Sequence, residues 1–292
     1  MDHRSNFFLK LLVPDANWNY QKEPTKGTAK YFVNDKPVIG IADNVFEYYQ
    51  DIDYIIFSEL KKNFPTTSGY YYQGVRFIEY PEFKVEEVEG VFVTYERTID
   101  QTIVHLISED KDQDKLDSFL KDLKERYPDY YIGTIYQTIE GRLFEILYQK
   151  KLKICFAESC TGGLMVSRLI NCKGASEVIG RSFVTYSNAS KNEILGVDPK
   201  LIKKFGVVSA EVAEAMAEGL AKISKADVNV SVTGYAGGDQ PNPDDGLCYF
   251  ACSYNGFINI ERLQFEGDRN QVRLKMASYI LWRVGQLLIL KP

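Results

Sequence analysis

The first 90 residues show few regular patterns of hydrophobic and polar positions. Apolar runs at residues 38–42 and 54–57 predict short strands, and residues 66–69 predict a turn. Tyr, Phe and Lys are frequent in this part of the chain, and no catalytic motif occurs there. We therefore treat residues 1–90 as an N-terminal region for which the sequence predicts no role.

A more regular pattern begins at about residue 91. Apolar residues at 91–95, 102–107 and 130–135 predict three strands. Between the second and third strands, apolar residues recur at helical spacing in a segment that ends near Arg126; they are Leu116, Phe119, Leu120 and Leu123. Residues 91–137 are therefore predicted to form a small α+β module.

From residue 138 onward, predicted helices and strands alternate. Thr138 is placed to cap a helix whose apolar stripe is Phe144, Leu147 and Tyr148. Strands are then predicted at residues 152–156, 182–186 and 228–232, and helices at residues 161–170, 191–195 and 210–223. Ser209 is the predicted cap of the last of these helices.

The chain ends in a predicted hairpin followed by a long helix. Residues 247–254 and 258–265 are the two strands of the hairpin, with Asn255 and Gly256 at its turn, and Asp268 caps the helix. Alternating strands and helices followed by a hairpin predict a layered α/β domain with a mixed sheet over residues 138–292.

Composition and charge narrow the classes of function. The 292 residues carry a net charge of −5 and a pI of about 5.3, which argues against general nucleic-acid binding. The N-terminus has no apolar run like that of a signal peptide, and the apolar segment at 276–290 is too short for a membrane span. These patterns favour a cytoplasmic protein that binds neither nucleic acid nor membrane.

The five cysteines all lie in the second half of the chain. An odd number without a leader sequence favours reduced thiols, as in a cytoplasm. Cys248 and Cys252 have no second pair and no nearby histidine, so we predict that they are small core residues of a strand. The sequence predicts no metal site.

Candidate chemistry is concentrated in the segment AESCTGG at residues 157–163. Ser159 and Cys160 are candidate nucleophiles, and the N–H groups at the start of the following helix favour an anion or a developing oxyanion. Both histidines of the chain lie far upstream in sequence, so the base must be another residue. The alternative is that Ser159 or Thr161 only caps the helix.

Lys191 is the candidate base. It lies in the segment YSNASK at residues 186–191, directly after a predicted strand. A lysine whose pKa is lowered by burial can act as a general base, and serine–lysine pairs are a known way to activate a nucleophile. Tyr186 is a candidate neighbour in the same proton network. The alternative is a solvated lysine at the start of a helix.

Two further segments supply candidate binding groups. The loop at 233–238 follows a strand and has the composition of a backbone cradle for a ligand, or of a flexible connection. The acidic residues of 239–245 would repel a phosphate that lay close to them. Arg269 and Arg273 share one face of the last helix, where they suit a phosphate or surface salt bridges with Glu266 or Asp268.

Taken together, these motifs resemble the CinA C-terminal domain family, the nicotinamide mononucleotide deamidases. The resemblance covers residues 138–288, with the motifs in family order. They are AESCTGG at 157–163, GAS at 174–176, VTYSN at 184–188 followed by Lys191, GVVS at 206–209, TG and AG within 233–237, and GDR at 267–269 with Arg273.

The resemblance implies an α/β/α domain, usually dimeric, that hydrolyses the carboxamide of nicotinamide mononucleotide to the nicotinate nucleotide and ammonia. It implies no metal or other cofactor. Ser159 is implied as the nucleophile, Lys191 as its general base and Tyr186 as a supporting residue. The candidate substrate-binding residues are Cys160, Thr161, Gly162, Thr233, Gly234, Ala236, Gly237, Arg269 and Arg273.

One segment departs from the family pattern. Gly238 stands in place of a proline, and the residues PDDGL at 243–247 stand in place of a lysine-bearing segment. Replacing a positive by a negative charge at this place would weaken the binding of a phosphate group. The alternative function is therefore a CinA-like protein that binds or regulates without catalysis, or that acts on an altered substrate.

The rest of the chain resembles full-length CinA proteins only in part. Residues 91–137 resemble their KH-like middle module, but the Gly-x-x-Gly loop is missing and the charge is acidic, so RNA binding is not expected. Residues 1–90 are too few for the molybdopterin-binding-like domain of those proteins. We interpret them as a divergent, shortened N-terminal region and predict no pyrophosphatase activity.

Overall fold

The computed structural model describes most of the chain from residue 88 onward and parts of what precedes it. The described residues are 18–23, 28–33, 36–42, 70–78, 88–134, 137–237 and 243–290. The strand predicted at 54–57, the turn predicted at 66–69 and Gly238 lie outside them. The chain divides into two compact units. The first consists of Met1–Gly74, Glu86–Thr94 and His105–Arg126. The second consists of Val75–Val85, Tyr95–Val104 and Tyr127–Pro292.

The first three strands form an antiparallel sheet of order β1-β2-β3. Their bounds are β1 Trp18–Glu23, β2 Thr28–Val33 and β3 Lys36–Ala42. The strand predicted at residues 38–42 is confirmed as part of β3.

Four further strands form a second sheet, of order β5-β6-β4-β7. Their bounds are β4 Tyr70–Ile78, β5 Val91–Arg97, β6 Gln101–Glu109 and β7 Tyr131–Thr134. Helix α1, Gln113–Arg126, precedes β7 and buries the four apolar residues that predicted it: Leu116, Phe119, Leu120 and Leu123. The predicted β-β-α-β order of this segment is thus confirmed.

A five-stranded sheet forms the centre of the C-terminal domain. Its strands are β8 Ile154–Glu158, β9 Phe183–Val184, β10 Val228–Gly234, β11 Leu247–Tyr254 and β12 Phe257–Gln264. In the order β12-β11-β10-β8-β9, strand β8 runs parallel to β9 and β10, whereas the β11–β12 hairpin is antiparallel. The predicted mixed sheet and hairpin are confirmed.

The described residues of this domain form six helices. They are α2 Ile139–Lys150, α3 Leu164–Ile170, α4 Asn188–Leu195, α5 Pro199–Phe205, α6 Ala210–Ser224 and α7 Arg269–Leu290. In the part of the chain that the structure describes, no helix combines the length and the apolar character that crossing a membrane requires.

The helices cover both faces of the sheet because side chains alternate along each strand. On β8, Ile154 and Phe156 join a core with residues of α2, α3 and α7. Cys155 and Ala157 point to the opposite face and join a core with residues of α4 and α6. The domain is therefore a three-layer α/β/α structure. Cys248 and Cys252 are buried in the first of these cores, as the sequence predicts.

Three predicted helix caps are present. Thr138 Oγ1 accepts a hydrogen bond from the N–H of Gly141 at 3.0 Å, and Ser209 Oγ accepts one from the N–H of Val212 at 3.3 Å. Asp268 Oδ1 accepts from the first N–H groups of α7. Each such cap stabilises its helix by about 1 kcal/mol.

Three predicted boundaries are wrong near the AESCTGG loop. Helix α3 begins at Leu164 and not at Thr161, because Cys160–Gly163 form a turn. Helix α4 begins at Asn188 and is capped by Ser187, so Lys191 lies one turn inside the helix rather than at its start. Strand β9 has two residues instead of five, because the chain turns at Thr185 to reach α4.

The predicted apolar stripe of α2 is also partly wrong. Leu147 is buried, but the Tyr148 side chain is 52% exposed and stacks on Phe144 with ring centroids 5.7 Å apart. The buried face is formed by Ile139, Leu143, Ile146 and Leu147. A tyrosine beside a phenylalanine can shield apolar area while its hydroxyl stays in water, which the periodicity alone does not reveal.

A buried ionic cluster connects three helices of the domain with the turn before β6. Arg168 on α3 donates to Asp100 Oδ2 at 3.3 Å and to Glu140 Oε2 on α2 at 2.8 Å. It also donates to Ser278 Oγ on α7, which itself donates to Asp100 Oδ2 at 2.6 Å. The cluster satisfies the Asp100 carboxylate, which is nearly inaccessible to solvent.

Candidate active site

A cavity of about 370 Å³ lies where the parallel strands of the C-terminal sheet end. Ser159 directly follows β8, Tyr186 follows β9 by two residues, and Thr233 and Gly234 are the last residues of β10. Ligands bind beyond the carboxyl ends of strands in open α/β sheets. The topology thus brings the three motif-bearing loops to one place.

Nine of the twelve candidate site residues line this cavity. They are Ser159, Cys160, Tyr186, Lys191, Thr233, Gly234, Ala236, Gly237 and Arg269. Thr161, Gly162 and Arg273 do not line it. Five lining residues were not predicted as site residues: Asn188, Val207, Val208, Tyr235 and Asp245. Four of these five lie inside motifs that the sequence displays, and the fifth, Asp245, lies in the segment that departs from the family pattern.

The side chains of Ser159 and Lys191 are in direct contact. Lys191 Nζ lies 3.0 Å from Ser159 Oγ, 2.8 Å from the carbonyl oxygen of Thr185 and 3.3 Å from that of Tyr186. Lys191 is fully buried, and Ser159 is 7% exposed. The capping box at Ser187 and Ser190 fixes the first turn of α4, from which the lysine side chain reaches back to the serine.

The environment of Lys191 favours its neutral amine. Burial lowers its pKa below the ordinary value of 10.5, because an ammonium loses hydration when it leaves water. Within the described residues it forms no ion pair with a carboxylate. Its three oxygen neighbours suit an ammonium, which donates three hydrogen bonds, and equally a neutral amine, which donates two to the carbonyl oxygens and accepts one from the serine hydroxyl. The lone pair of the neutral amine can accept a proton from the hydroxyl group that it contacts.

Glu158 fixes the loop that carries Ser159. Its carboxylate is buried and accepts hydrogen bonds from the N–H groups of Gly163 at 2.9 Å, Met165 at 3.2 Å and Val166 at 3.0 Å. It therefore caps α3, a role that the sequence analysis considered only for Ser159 and Thr161. The hydroxyl of Ser159 is left to Lys191.

Arg273 holds the same loop from the side of α7. It donates to the carbonyl oxygens of Cys160 at 3.2 Å and Thr161 at 3.0 Å, and it forms no ion pair with Glu266 or Asp268. Gly162 has a φ of +62°, and a Cβ there would lie 3.1 Å from the Arg273 guanidinium. Both its backbone conformation and this close approach favour glycine. Arg273 therefore orients the loop and does not line the cavity.

The N–H groups of Cys160 and Thr161 are bound neither by Glu158 nor by a described backbone oxygen. Gly162 N–H donates to the carbonyl oxygen of Ser159 at 3.1 Å, and those of residues 163, 165 and 166 are bonded to Glu158. The N–H groups of Cys160 and Thr161 lie within hydrogen-bond reach of the Cys160 sulfur, which is a weak acceptor. The N–H of the residue after a nucleophilic serine is a common oxyanion donor in hydrolases.

The thiol of Cys160 is not suited to nucleophilic attack. It is buried against Met276, with the two sulfur atoms 3.7 Å apart, and burial raises its pKa to about 12. Because the thiolate is the reactive form of cysteine, this thiol stays protonated and inert near neutral pH. Of the two candidate nucleophiles in the loop, the geometry favours Ser159.

Arg269 and Tyr186 lie at the open side of the cavity. Arg269 donates to the carbonyl oxygen of Gly237 and to Tyr186 Oη, the latter at 3.1 Å. Tyr186 is 62% exposed and is not in contact with Ser159 through any described hydrogen bond. The hydroxyl of Thr233 donates to the carbonyl oxygen of Val207 at 2.8 Å, so it secures the end of β10.

The cavity wall also carries a carboxylate. Asp245 lies beside Gly237, whose Cβ, if it had one, would be 3.9 Å from Asp245 Cγ. The mouth of the cavity therefore combines a guanidinium with a carboxylate. Among the described residues, no three His, Cys, Asp or Glu side chains come together as metal ligands would.

Comparison with known proteins identifies relatives of the C-terminal part of the chain. A protein from Caldicellulosiruptor saccharolyticus described as competence-damage inducible is 40% identical over 168 residues, which are 57% of this chain and 40% of the relative. A CinA-like protein from Kosmotoga olearia is 37% identical over 171 residues, which are 58% of this chain and 42% of the relative. The chain thus spans about two fifths of the length of these relatives.

Solved structures show the same domain. The competence or damage-inducible protein from Enterobacter asburiae is 28% identical with a TM-score of 0.50, over 52% of this chain and 99% of that one. Competence damage-inducible protein A from Klebsiella pneumoniae is 25% identical with a TM-score of 0.51, over 53% of this chain and 97% of that one. The sequence profile of the CinA C-terminal domain matches residues 136–288, just over half of the chain. The chain belongs to the CinA family.

Proposed function

We propose that the C-terminal domain hydrolyses the carboxamide of nicotinamide mononucleotide to nicotinate mononucleotide and ammonia. The observation that carries the proposal is the 3.0 Å contact between Lys191 Nζ and Ser159 Oγ inside the cavity. The buried amine supports general-base catalysis without histidine, and the family resemblance supplies the identity of the substrate. The reaction needs no metal or other cofactor.

The first half of the proposed reaction forms an ester with the enzyme. Ser159 Oγ attacks the carboxamide carbon while its proton moves to the neutral amine of Lys191. The carbonyl π electrons move onto oxygen, and the N–H groups of Cys160 and Thr161 stabilise this oxyanion. Lys191 then gives the proton to the amide nitrogen, the C–N bond breaks, and ammonia leaves.

The second half regenerates the serine. A water molecule gives a proton to the neutral amine of Lys191 and attacks the ester carbon. The tetrahedral intermediate collapses, Ser159 Oγ leaves with the proton from Lys191, and the acid product dissociates as its carboxylate. One base serves both halves because its proton is returned at the end of each.

The phosphate of the substrate is proposed to bind at Arg269. This side chain is held at the open side of the cavity by Tyr186 Oη and the Gly237 carbonyl oxygen, and a guanidinium is well suited to phosphate. Gly234 and Ala236 would line the space between the phosphate and the carboxamide. We also propose, from the family resemblance, that the protein is a homodimer of the cytoplasm, and that residues 91–137 are a KH-like module.

A second candidate function is ligand binding without turnover. The carboxylate of Asp245 in the cavity wall favours it, because a carboxylate near a phosphate weakens nucleotide binding. This alternative predicts that a ligand binds in the cavity but that no ammonia is released.

The experiment that separates the two candidates follows both products. Purified protein is incubated with nicotinamide mononucleotide, and ammonia and nicotinate mononucleotide are measured in parallel. We expect wild type to release ammonia and nicotinate mononucleotide in equal amounts. We expect the Arg269→Ala variant to have a raised KM for the nucleotide. The Lys275→Ala variant, which removes a cation from the same helix outside the cavity, is the matched control. Binding of the nucleotide without release of either product would favour the second candidate.

A further inference from the structure

Asp245 and Arg269 both line the cavity, and each lies close to Gly237. Arg269 donates to the Gly237 carbonyl oxygen. The Asp245 carboxyl group lies about 4 Å from the position that a Gly237 Cβ would take. A ligand whose anionic group binds Arg269 therefore places another of its groups close to the Asp245 carboxyl group.

The backbone around Asp245 is held by the sheet. Gly246 N–H donates to the Tyr235 carbonyl oxygen at 2.7 Å, and Tyr235 N–H donates to that of Leu247 at 2.8 Å. The carbonyl oxygen of Asp245 accepts from Gln264 Nε2 at 2.7 Å. Gly246 has a φ of +89°, and a Cβ there would overlap the Phe265 carbonyl oxygen. Asp245 thus lies in a turn whose backbone is fixed by hydrogen bonds to Tyr235 and Gln264, which suits a specificity-determining residue.

We propose that Asp245 recognises the sugar hydroxyls of the substrate and so restricts the site to ribosyl ligands. This inference rests on the proposed function for the orientation of the ligand. With the carboxamide at Ser159 and the phosphate at Arg269, the ribose lies between them, on the side of Gly237 and Asp245. A carboxylate is an acceptor only, and a vicinal diol offers two neutral donors.

Two other partners for the carboxylate fit the geometry less well. The pyridinium ring carries the carboxamide and therefore lies beside Ser159, whereas Asp245 contacts Gly237 at the Arg269 side. A second phosphate would be repelled by the carboxylate. Hydroxyl groups are the part of the nucleotide that matches both the position and the charge of Asp245.

The test compares wild type and Asp245→Ala with nicotinamide mononucleotide and its 2′,3′-dideoxy analogue. Hydrogen bonds to a charged group contribute enough for wild type to prefer the ribosyl substrate by about 10- to 100-fold in kcat/KM. We expect Asp245→Ala to lose most of this preference, and Asp245→Asn to keep part of it. Asp244→Ala removes the same charge from an exposed neighbour outside the cavity and should retain the full preference.

Two results would overturn the proposal: a preference that Asp245→Ala leaves unchanged, whether or not both rates fall equally, or an equal effect of Asp244→Ala on the preference. A reduced nucleotide with an uncharged ring tests the pyridinium alternative. Asp245→Ala could change the ratio of kcat/KM between the charged-ring and uncharged-ring nucleotides but leave the ratio between the ribosyl and dideoxy nucleotides unchanged. In that case the carboxylate recognises the ring, and the proposal is wrong.

Calorimetric binding separates this inference from the proposed reaction. The Ser159→Ala variant is titrated with both nucleotides, with and without Asp245→Ala. Tighter binding of the ribosyl ligand that depends on Asp245 supports the inference even if wild type releases no ammonia. Failure of both ligands to bind, or binding that ignores the hydroxyls, contradicts it even if hydrolysis is observed.

Discussion

Lys191 Nζ lies 3.0 Å from Ser159 Oγ, and its remaining hydrogen-bond partners are two backbone carbonyl oxygens. No carboxylate among the described residues compensates a charge on this buried amine. The pair therefore combines the proposed nucleophile with a proposed base whose pKa is lowered by burial.

The pH dependence of the reaction should report the lysine. Burial lowers the pKa of Lys191 below 10.5, so kcat/KM should rise with pH and level off once the amine is neutral. The midpoint should fall below 10.5. A rate that is highest at acid pH and falls as pH rises would contradict the role of Lys191 as base.

Stability should change with pH for the same reason. Between the lowered pKa in the folded protein and the ordinary value of 10.5 in the unfolded chain, the unfolded chain binds more protons. The free energy of unfolding should therefore rise with pH through that window, relative to a Lys191→Met variant. Urea unfolding of both proteins across this range measures the difference. A difference that falls with rising pH would contradict the assignment.

Cys160 should resist alkylation in the folded protein. Its thiol is buried and has a pKa of about 12, whereas Cys172 is only half-buried. Iodoacetamide near pH 8 should modify Cys172 first and leave the hydrolytic rate unchanged, as peptide mass spectrometry and an ammonia assay would show. Rapid inactivation with modification of Cys160 would indicate a reactive thiol and a different nucleophile.

Glu158→Ala should destabilise the domain and reduce the rate. The change leaves three buried or partly buried N–H groups of α3 without their acceptor, at a cost of about 1–3 kcal/mol for each that remains unsatisfied. Glu193→Ala removes an exposed carboxylate from α4 and is the control. Chemical unfolding that gives equal stabilities for the two variants would show that Glu158 is not a structural cap.

Arg168→Leu should destabilise the domain by about 3–5 kcal/mol, because it leaves the buried Asp100 carboxylate without its cation. The Arg168→Leu/Asp100→Leu double variant should recover part of this loss. Urea unfolding of the two single variants and the double variant gives the coupling energy. Additive losses in the double variant would show that the two side chains do not stabilise each other.

Much of the fold follows from local patterns in the sequence. Alternation over residues 228–232 predicted β10, the Asn255-Gly256 turn predicted the hairpin, and Thr138, Ser209 and Asp268 predicted their caps. These signals are local, because a cap or a two-residue turn is determined by a few neighbouring residues. The number of residues in β9 depends instead on pairing with β8 and on where the chain must turn.

The site was predictable in its residue types but not in its contacts. Because both histidines lie far upstream, the sequence predicts Lys191 as the base, but the burial of Lys191 depends on how α4 packs. The capping role of Glu158 depends on the course of the loop over the next five to eight residues, whereas the support of the loop by Arg273 joins residues 112 and 113 positions apart in sequence. Asp245 was visible as part of an acidic segment, and its place in the cavity wall follows from the β10–β11 connection.

Ammonia release from nicotinamide mononucleotide, with wild type, Ser159→Ala and Lys191→Met assayed side by side, tests the proposed roles of Ser159 and Lys191. Loss of a positioned general base lowers a rate by about 10²- to 10⁴-fold, and loss of the nucleophile should lower it at least as far. Lys200→Met, which changes an exposed lysine on α5, is the matched control and should keep the wild-type rate.

We predict steady ammonia release by wild type and Lys200→Met, and almost none by the other two variants. Undiminished release by Ser159→Ala or Lys191→Met would contradict the account.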